Sequence, residues 1–560
     1  MTEQESREGS YIKTSWNDLS SWMFYIMILL AVSLPLSEFG MSVAQFLLFF
    51  NWIFEGADFS SVKRSAKPAQ SVIKLIGHNV SGKLRSVTSN HLLIVFLAIY
   101  VLHIIGLIYS SDIQYGLKDI RVKLPLLSIP VLLATSTSLS RKRLNILLLF
   151  FVMAVMAGSF ISTYVYLTRP ITDTREISIF ISHIRFSLFI SLSIFILFGF
   201  VKYNAFNNRN LKWVFVLAGL WLIVFLLILK SFTGIAITAL LIFVVIIISI
   251  QHYKKIVIAT LLLVLAIFAG GWIYMNSIYR SLTIAEHVNL AELDKTTRLG
   301  NPYIHDTAGY GIEDGKYVGL YISPDELRQE WNKKSKLDFD GLDNKGQELK
   351  YTLIRFLHTK GYRKDAEGVD KLSPEEIGQI ENGLANSGLK YKLSLRPNIE
   401  QLLMGYKAYT FNKNANGSSM MQRIEYWKTS IYLIRQKPVA GHGTGDVAHA
   451  FDKAYEETNS SLIPEFRHRS HNQFLAITIA LGLIGLIVFL ASMFYPPVKL
   501  GKFNNYYYLI FFIIAFVSFL TEDTLETQAG ATFFAFFSGL LLFGVRKEAD
   551  EQARVMSEKP

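Results

Sequence analysis

The sequence contains no cysteine and unusually little charge. Among its 560 residues, only 18% are Asp, Glu, Lys or Arg. The lack of cysteine excludes disulfides, Cys-ligated zinc, iron–sulfur clusters and thiol nucleophiles. A soluble chain carries closer to about 25% charged residues, so the low charge indicates long apolar runs. No small-residue cleavage site follows the first of these runs, and we expect no cleaved signal peptide.

The apolar runs predict about twelve membrane-spanning helices. About 20 residues of helix cross a hydrocarbon core of about 30 Å, and a helix satisfies its own backbone hydrogen bonds there. The first two runs are short and Pro35 interrupts them, so they could form a hairpin that barely crosses. The predicted spans are 20–36, 39–54, 91–110, 122–138, 144–168, 184–202, 212–229, 232–251, 255–277, 471–494, 506–522 and 528–545. The predicted fold class is therefore an all-α polytopic membrane protein.

Lysine and arginine in the flanks predict the orientation. With the N-terminus inside, the richly basic loops, such as 63–85 and 141–143, all lie on the cytoplasmic side. An even number of spans places the C-terminus inside as well, and residues 278–470 outside. That external segment is nearly balanced in charge, so the net charge of +12 lies in the membrane flanks. This distribution excludes a nucleic-acid footprint.

The same pattern predicts the domain organisation. The external segment has periodic apolar positions and helix-start signals, Ser323-Pro324 and Ser373-Pro374, which indicate a folded, mainly α-helical domain. A short strand is expected at 317–322. The predicted parts are a membrane domain at 1–277, the external domain at 278–470 with an inserted subdomain at 312–395, a second membrane domain at 471–545, and a cytoplasmic tail at 546–560.

The strongest local motif begins with a histidine where the external domain re-enters the membrane. His471 and Asn472 are followed, after nine residues, by Gly482-Leu483-Ile484-Gly485. A histidine there can act as a general base because its pKa lies near operating pH, or it can simply cap the span. Gly482 and Gly485 would let another helix pack closely.

Two further motifs precede this histidine. One holds Gly441, Gly443 and Gly445, and such glycines either form a tight turn or let backbone N–H groups approach an anion. The other places Arg423 four residues before Trp427 in an amphipathic stretch. Arg423 can grip phosphate oxygens or form a surface salt bridge.

Two more cations lie near the external ends of spans. Arg185 begins the sixth span, and Lys230 separates the seventh from the eighth. Such charges either reach water by snorkelling or serve a site. His468 and His471 have no carboxylate at ligand spacing and arginines flank them, so we predict no metal site.

Taken together, these residues resemble the O-antigen ligase and polymerase superfamily of bacterial envelope glycan assembly. That family has a His followed by Asn, Ser or Gln, nine residues, and then Gly-x-x-Gly at the exit of a large periplasmic loop, which the motif from His471 to Gly485 fits without a gap. The family's Arg-x-x-x-Trp and Pro-x-x-Gly-x-Gly-x-Gly stand at Arg423 and Pro438.

The resemblance covers roughly 90–310 and 400–545, with two departures. Phe232 stands where the family often has a phosphate-binding arginine in Ser-Arg-Thr-Gly, and Lys230 or Arg185 could replace it. The 312–395 insertion is absent from typical members and resembles a Bacteroidetes-type variant.

The resemblance implies a helical bundle similar to GT-C glycosyltransferases, in the bacterial inner membrane, with 278–470 in the periplasm. It implies a cofactor-free, metal-independent, inverting transfer of a glycan from undecaprenyl pyrophosphate to lipid A–core. His471 would deprotonate or orient the acceptor hydroxyl. Arg423, with Arg185 and Lys230 as further candidates, would bind the donor diphosphate, and the spans would supply a lateral groove for its lipid tail.

Alternative functions stay open at this point. Within the same superfamily, a polymerase would extend repeat units, and a protein O-oligosaccharyltransferase would glycosylate proteins. From a different class, an envelope lipid flippase or transporter would also need about twelve spans. The sequence shows no matching halves with broken helices in paired positions, which a transporter often has.

Overall fold

The computed structural model describes residues 19–57, 68–169, 174–250, 253–344, 346–386, 396–416 and 418–546. The described residues form two compact units. The first comprises the described parts of 1–249, 423–460 and 464–560, and the second those of 250–422 and 461–463. Nearly all regular structure is helical, which confirms the predicted all-α fold class.

The chain up to residue 250 is a succession of helices. Short polar side chains begin several of them by accepting from free N–H groups of the first turn, as Ser37, Asn90 and Asp112 do. The helices are α1 (Leu19–Leu36), α2 (Glu38–Phe54), α3 (Pro68–Ser89), α4 (His91–Ile108), α5 (Ile113–Lys123), α6 (Pro125–Thr135), α7 (Arg141–Thr168), α8 (His183–Lys202), α9 (Arg209–Leu229) and α10 (Phe232–Ile250), with a 3-10 turn at Thr174–Ile177.

The second unit combines one long apolar helix with a smaller polar fold. Its elements are α11 (Lys254–Thr283), β1 (Ile312–Glu313), β2 (Lys316–Tyr317), α12 (Pro324–Lys334), α13 (Leu349–Thr359), α14 (Ala366–Asp370), α15 (Pro374–Glu381) and α16 (Arg396–Asn412), with a 3-10 turn at Leu290–Glu292.

The remainder of the chain contains the helices that carry the sequence motifs. They are α17 (Ser419–Gln436), α18 (Val447–Glu457), α19 (Gln473–Lys499), α20 (Tyr506–Thr521) and α21 (Gln528–Gly539), which continues as a π-turn at Leu540–Gly544. Short 3-10 turns lie at Pro464–Phe466, Lys502–Asn504 and Thr524–Glu526.

Seven helices in the described part of the chain are long and apolar enough to cross a membrane, namely α4, α7, α8, α9, α10, most of α11, and α19. Shorter apolar helices are α1, α2, α20, and α21 with its π-turn. Eleven of the predicted spans therefore coincide with one of these apolar helices.

The predicted span at 122–138 is different. Pro125 begins α6, and α6 has only 11 residues, or about 17 Å of helix, roughly half of a bilayer core. The preceding helix α5 is too charged to continue it, with Lys118, Asp119, Arg121 and Lys123 in its sequence. A charged helix followed by a short apolar one replaces the expected continuous span.

The smaller fold of the second unit has its own apolar core. Trp331 and Phe356 are fully buried at its centre, together with Leu353, Ile354 and Leu357 of α13. Both predicted helix starts are confirmed, because α12 and α15 begin with Pro324 and Pro374.

The strand expected at 317–322 is wrong in extent. Only Tyr317 belongs to a strand, in the two-residue pairing of β1 with β2. Asp314 and Gly315, between them, have φ angles of 50° and 73°, as tight hairpin turns require. The chain beyond Tyr317 turns away, and Ile322 makes isolated bridges instead.

Candidate active site

His471 lies just before α19 with a left-handed backbone, at φ 45°. That conformation is uncommon for a residue with a side chain. Asn472, and not the histidine, caps α19, since its side chain accepts from Leu475 N at 3.1 Å. The imidazole of His471 is therefore not needed to cap the helix. The His471 side chain is 30% exposed.

A carboxylate from a distant segment orients this imidazole. Nδ1 of His471 lies 3.1 Å from Oε2 of Glu522, in the loop between α20 and α21. A carboxylate can only accept, so Nδ1 carries the hydrogen and Nε2 of the neutral ring is left as the basic nitrogen. The other oxygen of Glu522 accepts from Arg423 Nη2 at 2.6 Å.

The surroundings of His471 favour its protonated form. Burial lowers the pKa of His471, but the hydrogen bond to Glu522 and the negative charges of Asp523 and Glu522 outweigh burial and raise it above the usual value. Asp523 lies 4.0 Å from Nδ1, and burial raises the pKa of its own carboxyl group. A base with a raised pKa binds a proton more tightly.

Helix α17 contacts His471 and the residue before it through two aromatic side chains. The rings of Tyr426 and His471 stack with their centroids 5.4 Å apart. Trp427 Nε1 donates to the carbonyl of Ser470 at 3.1 Å. Arg423 is three and four residues before these two aromatic side chains, so all three project from neighbouring positions on one helix face. This spacing gives the Arg-x-x-x-Trp pattern a positioning role.

The loop that carries Glu522 is clamped to the start of α19. Asn472 Nδ2 donates to Leu520 O at 3.0 Å. Gln473, which is fully buried, accepts from Leu525 N at 2.7 Å and donates to Glu526 at 3.2 Å. Residues that directly follow His471 thus fix the carboxylate that orients it.

A buried ion cluster lies at the other end of the same loop. Lys123 donates to Asp119 and Glu526 at 2.6 and 2.7 Å, and Arg469 pairs with Glu526 at 3.1 Å. Burial raises the pKa of Asp119 to about 6. Burial also acts to raise the pKa of Glu526, but the charges of Lys123 and Arg469 outweigh it and hold that pKa well below its usual value.

The two other predicted cations have different surroundings. Arg185, at the start of α8, donates from Nε to Thr527 Oγ1 at 2.8 Å, which ties it to the loop that carries Glu522. Lys230 ends α9 with a left-handed φ of 51° and is exposed. Within the described residues, no hydrogen bond or ion pair connects Lys230 to His471 or to this loop.

The glycine loop, residues 438–445, packs into a break in α19. Gly482 has φ 66° and ψ −166°, and a β-carbon there would overlap the carbonyl oxygen of Val439. The N–H groups of His442 and Gly443 donate to carbonyls of α19, at Ile479 and Ala480, over 2.8 and 2.9 Å.

The following two N–H groups of the glycine loop are also used within the fold. Thr444 N donates to Gly106 O at 3.2 Å, and Gly445 N donates to Ser110 Oγ at 2.9 Å. Four successive donors thus serve packing against α4 and α19, and the glycines permit that close approach. Gly485 lies one turn beyond the break, beside Leu481.

Sequence reasoning missed the three acidic residues of this site. Glu522 lies 51 residues after His471, so no local spacing connects them. A signal was nevertheless present, because Glu522, Asp523 and Glu526 are the only charged residues between 503 and 545. Charges retained at the end of an apolar span often serve a site.

These carboxylates also bear on the prediction that the site binds no metal ion. One ligand atom from each of His471, Glu522 and Asp523 lies within 4.8 Å of the others, so the carboxylates that the sequence spacing lacks are supplied by the fold. Arg423 already binds Glu522 at 2.6 Å, and a guanidinium there competes with any cation. The cluster has the spacing for a metal ion but not an open, acidic environment.

Residues 385–490 match the O-antigen ligase family. This match supports an O-antigen ligase or polymerase family membrane protein and confirms the resemblance that the motifs predict. The matched segment contains Arg423, the glycine loop, His471 and the first two thirds of α19, and it ends before Glu522. No curated protein matches the chain. The family and the apolar helices indicate a multi-pass bacterial membrane protein with glycosyltransferase-like activity.

Proposed function

We propose that the protein is an O-antigen ligase, which transfers a glycan from undecaprenyl pyrophosphate to lipid A–core. One observation carries the proposal: the half-buried imidazole of His471 is held by Glu522 through Nδ1, inside the segment that matches the O-antigen ligase family. A carboxylate–histidine pair with a free Nε2 is the arrangement of a general base.

The proposed reaction uses that nitrogen to activate the acceptor. Nε2 of His471 takes the proton of an acceptor hydroxyl, whose oxygen bonds to the anomeric carbon of the donor sugar. The bond from that carbon to the diphosphate oxygen breaks, and undecaprenyl pyrophosphate leaves. Attack opposite the leaving group inverts the anomeric centre. Glu522 stabilises the imidazolium that forms.

The leaving diphosphate needs positive charge that strengthens as it departs. Arg423 uses one of its nitrogens for Glu522 and retains other donors, since a guanidinium has five. Arg185 lies against the same loop through Thr527. We assign both to the donor diphosphate. Lys230 is a weaker candidate because it is tied to neither His471 nor this loop.

The proposed topology follows from the reaction. An undecaprenyl-linked glycan is used at the periplasmic face of the inner membrane, so 278–470 would be periplasmic and both termini cytoplasmic, with α5 and α6 together making the fourth crossing. The domain division at 277/278 and 470/471 stays part of this proposal. The 312–395 insertion, of which 345 and 387–395 lie outside the described residues, belongs to the segment proposed as periplasmic.

A gene deletion complemented with wild type or His471→Ala tests the proposal. Surface glycolipids are compared on gels beside undecaprenyl-linked glycans. We expect that, in the deletion strain and with His471→Ala, long chains leave lipid A–core and accumulate on undecaprenyl pyrophosphate. His468→Ala is the matched control, because its ring lies 6.1 Å from that of His471 but is not bonded to Glu522.

Other outcomes would replace the ligase assignment. Lipid A–core that keeps a single repeat unit in the deletion strain would identify a polymerase. An unchanged glycolipid profile with loss of glycoproteins would identify a protein O-oligosaccharyltransferase. If neither class of glycan changes, transport of an envelope lipid becomes the leading alternative.

A further inference from the structure

A small cavity lies in the second unit, where helix α11 ends. Its volume is about 150 Å³, roughly ten times the volume that one water molecule needs, which is about 10–15 Å³. Three elements form its walls, namely the end of α11, residues 310–313 at the start of the hairpin, and α16. The side chains that bring polar groups to it are Tyr279, Thr283, Tyr310, Glu313 and Lys407.

The three walls are bonded to one another, so the cavity does not depend on a ligand to form. Gly315 N, in the turn of the hairpin, donates to a carbonyl in the last turn of α11 at 2.7 Å. Lys407 on α16 donates to Leu282 O of α11 at 3.1 Å. Arg396, also on α16, pairs with Asp314 of the hairpin. Cavities that bind small molecules are usually formed in this way before the ligand arrives.

Glu313 is the group in this cavity that most needs a partner. Only 9% of the residue is exposed. Its Oε1 accepts from Arg355 Nε at 2.6 Å, whereas Oε2 makes no hydrogen bond to any described residue. Burial raises the pKa of Glu313, although the charge of Arg355 opposes this. A buried carboxylate oxygen without a donor costs free energy, and a ligand that donates a hydrogen bond to Oε2 would remove that cost.

The other polar groups supply donors as well as acceptors. Lys407 uses one of its three N–H bonds on the carbonyl of Leu282 and has no carboxylate partner among the described residues. The hydroxyls of Tyr279 and Tyr310 form no hydrogen bond to another described residue, and a phenol can both donate and accept. An ion of either sign would be repelled by the carboxylate or by the ammonium group. A neutral ligand rich in hydroxyl groups can satisfy all four side chains.

The size and the apolar walls of the cavity fit one sugar ring. About ten water volumes hold a ligand of about twelve non-hydrogen atoms, which is the size of one hexose. Leu282 and Leu403 are buried in one apolar cluster, and Met404 packs against it, so apolar surface is present for the C–H groups of a ring. Tyr279 and Tyr310 add aromatic rings, whose faces are negative and attract C–H groups.

We propose that this cavity binds one sugar residue of the glycan that the enzyme transfers, with Glu313 accepting from one sugar hydroxyl and Lys407 donating to another. The assignment rests on the proposed function. It gives the 312–395 insertion, which supplies Glu313, a contact with the glycan apart from the reaction at His471. A glycan that is already bound through its lipid meets this cavity at a high effective concentration, so weak affinity for a single sugar is sufficient.

Saturation-transfer NMR of the full-length protein in lipid nanodiscs tests the cavity without needing turnover. The probes are glucose, galactose, mannose, rhamnose and N-acetylglucosamine, each titrated in the millimolar range. We expect signals from at least one of them. Lys407→Met should lower the affinity about tenfold, since a hydrogen bond to a charged group is worth about that factor. Thr283→Phe, which fills the cavity from α11, should abolish the signals.

The matched control is Tyr406→Trp, on the same helix as Lys407, because its side chain is 46% exposed and does not line the cavity. It should leave the signals unchanged, and thermal melts check that all three variants are folded. Signals from none of the five sugars, or signals that neither Thr283→Phe nor Lys407→Met weakens, would overturn the proposal. Free leucine that displaces the sugars at equal concentration would also overturn it, because the cavity would then belong to a zwitterionic amino acid.

Kinetics with two donors connect the cavity to the transferred glycan. One donor carries a long glycan on undecaprenyl diphosphate, and the other carries a single sugar on the same lipid. Lys407→Met should raise KM for the long donor about tenfold and leave kcat unchanged, because a contact that is equal in the ground state and the transition state affects binding alone. KM for the single-sugar donor should not change, because its only sugar is at the reacting carbon.

The two donors also separate this inference from the proposed function. An unchanged KM for the long donor in an active Lys407→Met variant would overturn the assignment of the cavity to the transferred glycan and leave the proposed function standing. A wild type without transfer from either donor would overturn the proposed function, and the NMR result would then decide whether the cavity binds a sugar.

Discussion

The loop at 522–527 carries two ion clusters that differ in the cation at their centre. At one end, the buried cluster centres on Lys123, which is fully buried between Asp119 and Glu526, while Arg469 pairs with Glu526 from a side chain that is 33% exposed; every charge has an opposite partner within about 3 Å. At the other end, Glu522 joins Arg423 to a histidine that is 30% exposed. The buried cluster holds the loop in place, because its central lysine is inaccessible and each of its charges already has a partner. The open cluster can exchange a proton, because the imidazole of His471 is partly exposed and the neighbouring carboxylates raise the pKa of His471.

The largest expected effect comes from breaking the open cluster. His471→Gln should lower kcat by about 10²–10⁴-fold, the usual contribution of a general base. The unfolding temperature should change little, because the ring is half-buried at 30% exposure and the glutamine amide can still donate to Glu522. A transfer assay with purified protein, quenched at timed intervals, measures kcat, and a thermal melt measures the unfolding temperature. A kcat close to wild type would remove His471 from the reaction.

Breaking the buried cluster should instead cost stability. Lys123→Met leaves Asp119 and Glu526 as close, buried like charges, and removing one partner of such a pair costs about 3–5 kcal/mol. Denaturation in detergent micelles measures the change. Adding Asp119→Asn removes the repulsion while Glu526 keeps Arg469, so the double variant should recover more than half of the loss. Equal stability of the single and double variants would contradict this account.

The pH profile separates the roles of the two carboxylates beside His471. A base must be neutral, so the rate rises as pH increases through the pKa of His471, which Glu522 and Asp523 raise. The acid limb of the wild type should therefore lie above about pH 6.5. Glu522→Gln should move it to lower pH and lower kcat about tenfold or more, because the ring also loses its orientation.

Asp523→Asn is the matched control for that experiment. Its carboxylate lies 4.0 Å from Nδ1 of His471, beyond hydrogen-bond distance. It should shift the acid limb in the same direction by less, with a smaller change in kcat. An acid limb that Glu522→Gln does not move would mean that another group controls the profile.

A buried lysine in the second unit sharpens the contrast with Lys123. Lys364 donates to Leu320 O at 3.1 Å and has no carboxylate partner among the described residues, and burial lowers its pKa to about 8. Between about pH 8 and its ordinary pKa of about 10.4, the unfolded chain binds more protons than the folded one, so stability rises with pH across this window.

Lys364→Met should therefore stabilise the second unit by about 1–2 kcal/mol at pH 7, because the cost of burying the charge exceeds the hydrogen bond that is lost. Thermal melts of the full-length protein at pH 7 and pH 9 measure this. The variant should lose most of the wild type's gain between the two pH values. Destabilisation at both pH values would show that the hydrogen bond outweighs the charge.

Chelation of divalent cations should have the smallest effect. His471, Glu522 and Asp523 have metal-ligand spacing, but Arg423 already neutralises Glu522. We expect EDTA to leave kcat unchanged, and added Zn²⁺ to inhibit by competing for Nε2 of His471. Loss of activity on chelation with recovery on adding back Mg²⁺ would contradict the prediction of a metal-free site.

The sequence predicts the fold and half of the site because those features depend on local patterns. Apolar run length predicts the long helices, and Ser-Pro pairs predict where α12 and α15 begin. The motif at His471 is also local. Glu522 could not be assigned to His471 in the same way, because the contact depends on how α20 returns the chain to the start of α19. The break before α6 could not be predicted from apolar run length, because the run at 122–138 contains apolar residues on both sides of the break.

The break in α19 also has a consequence for how the protein is assembled. A continuous helix can leave the insertion machinery for lipid on its own, because its backbone groups are already paired. At Gly482 that is not true, since the carbonyls of Ile479 and Ala480 are satisfied by N–H groups of the 438–445 loop. The loop precedes α19 in the chain and also bonds to α4 through Thr444, so we expect stable insertion of this helix and completion of the active site to depend on each other.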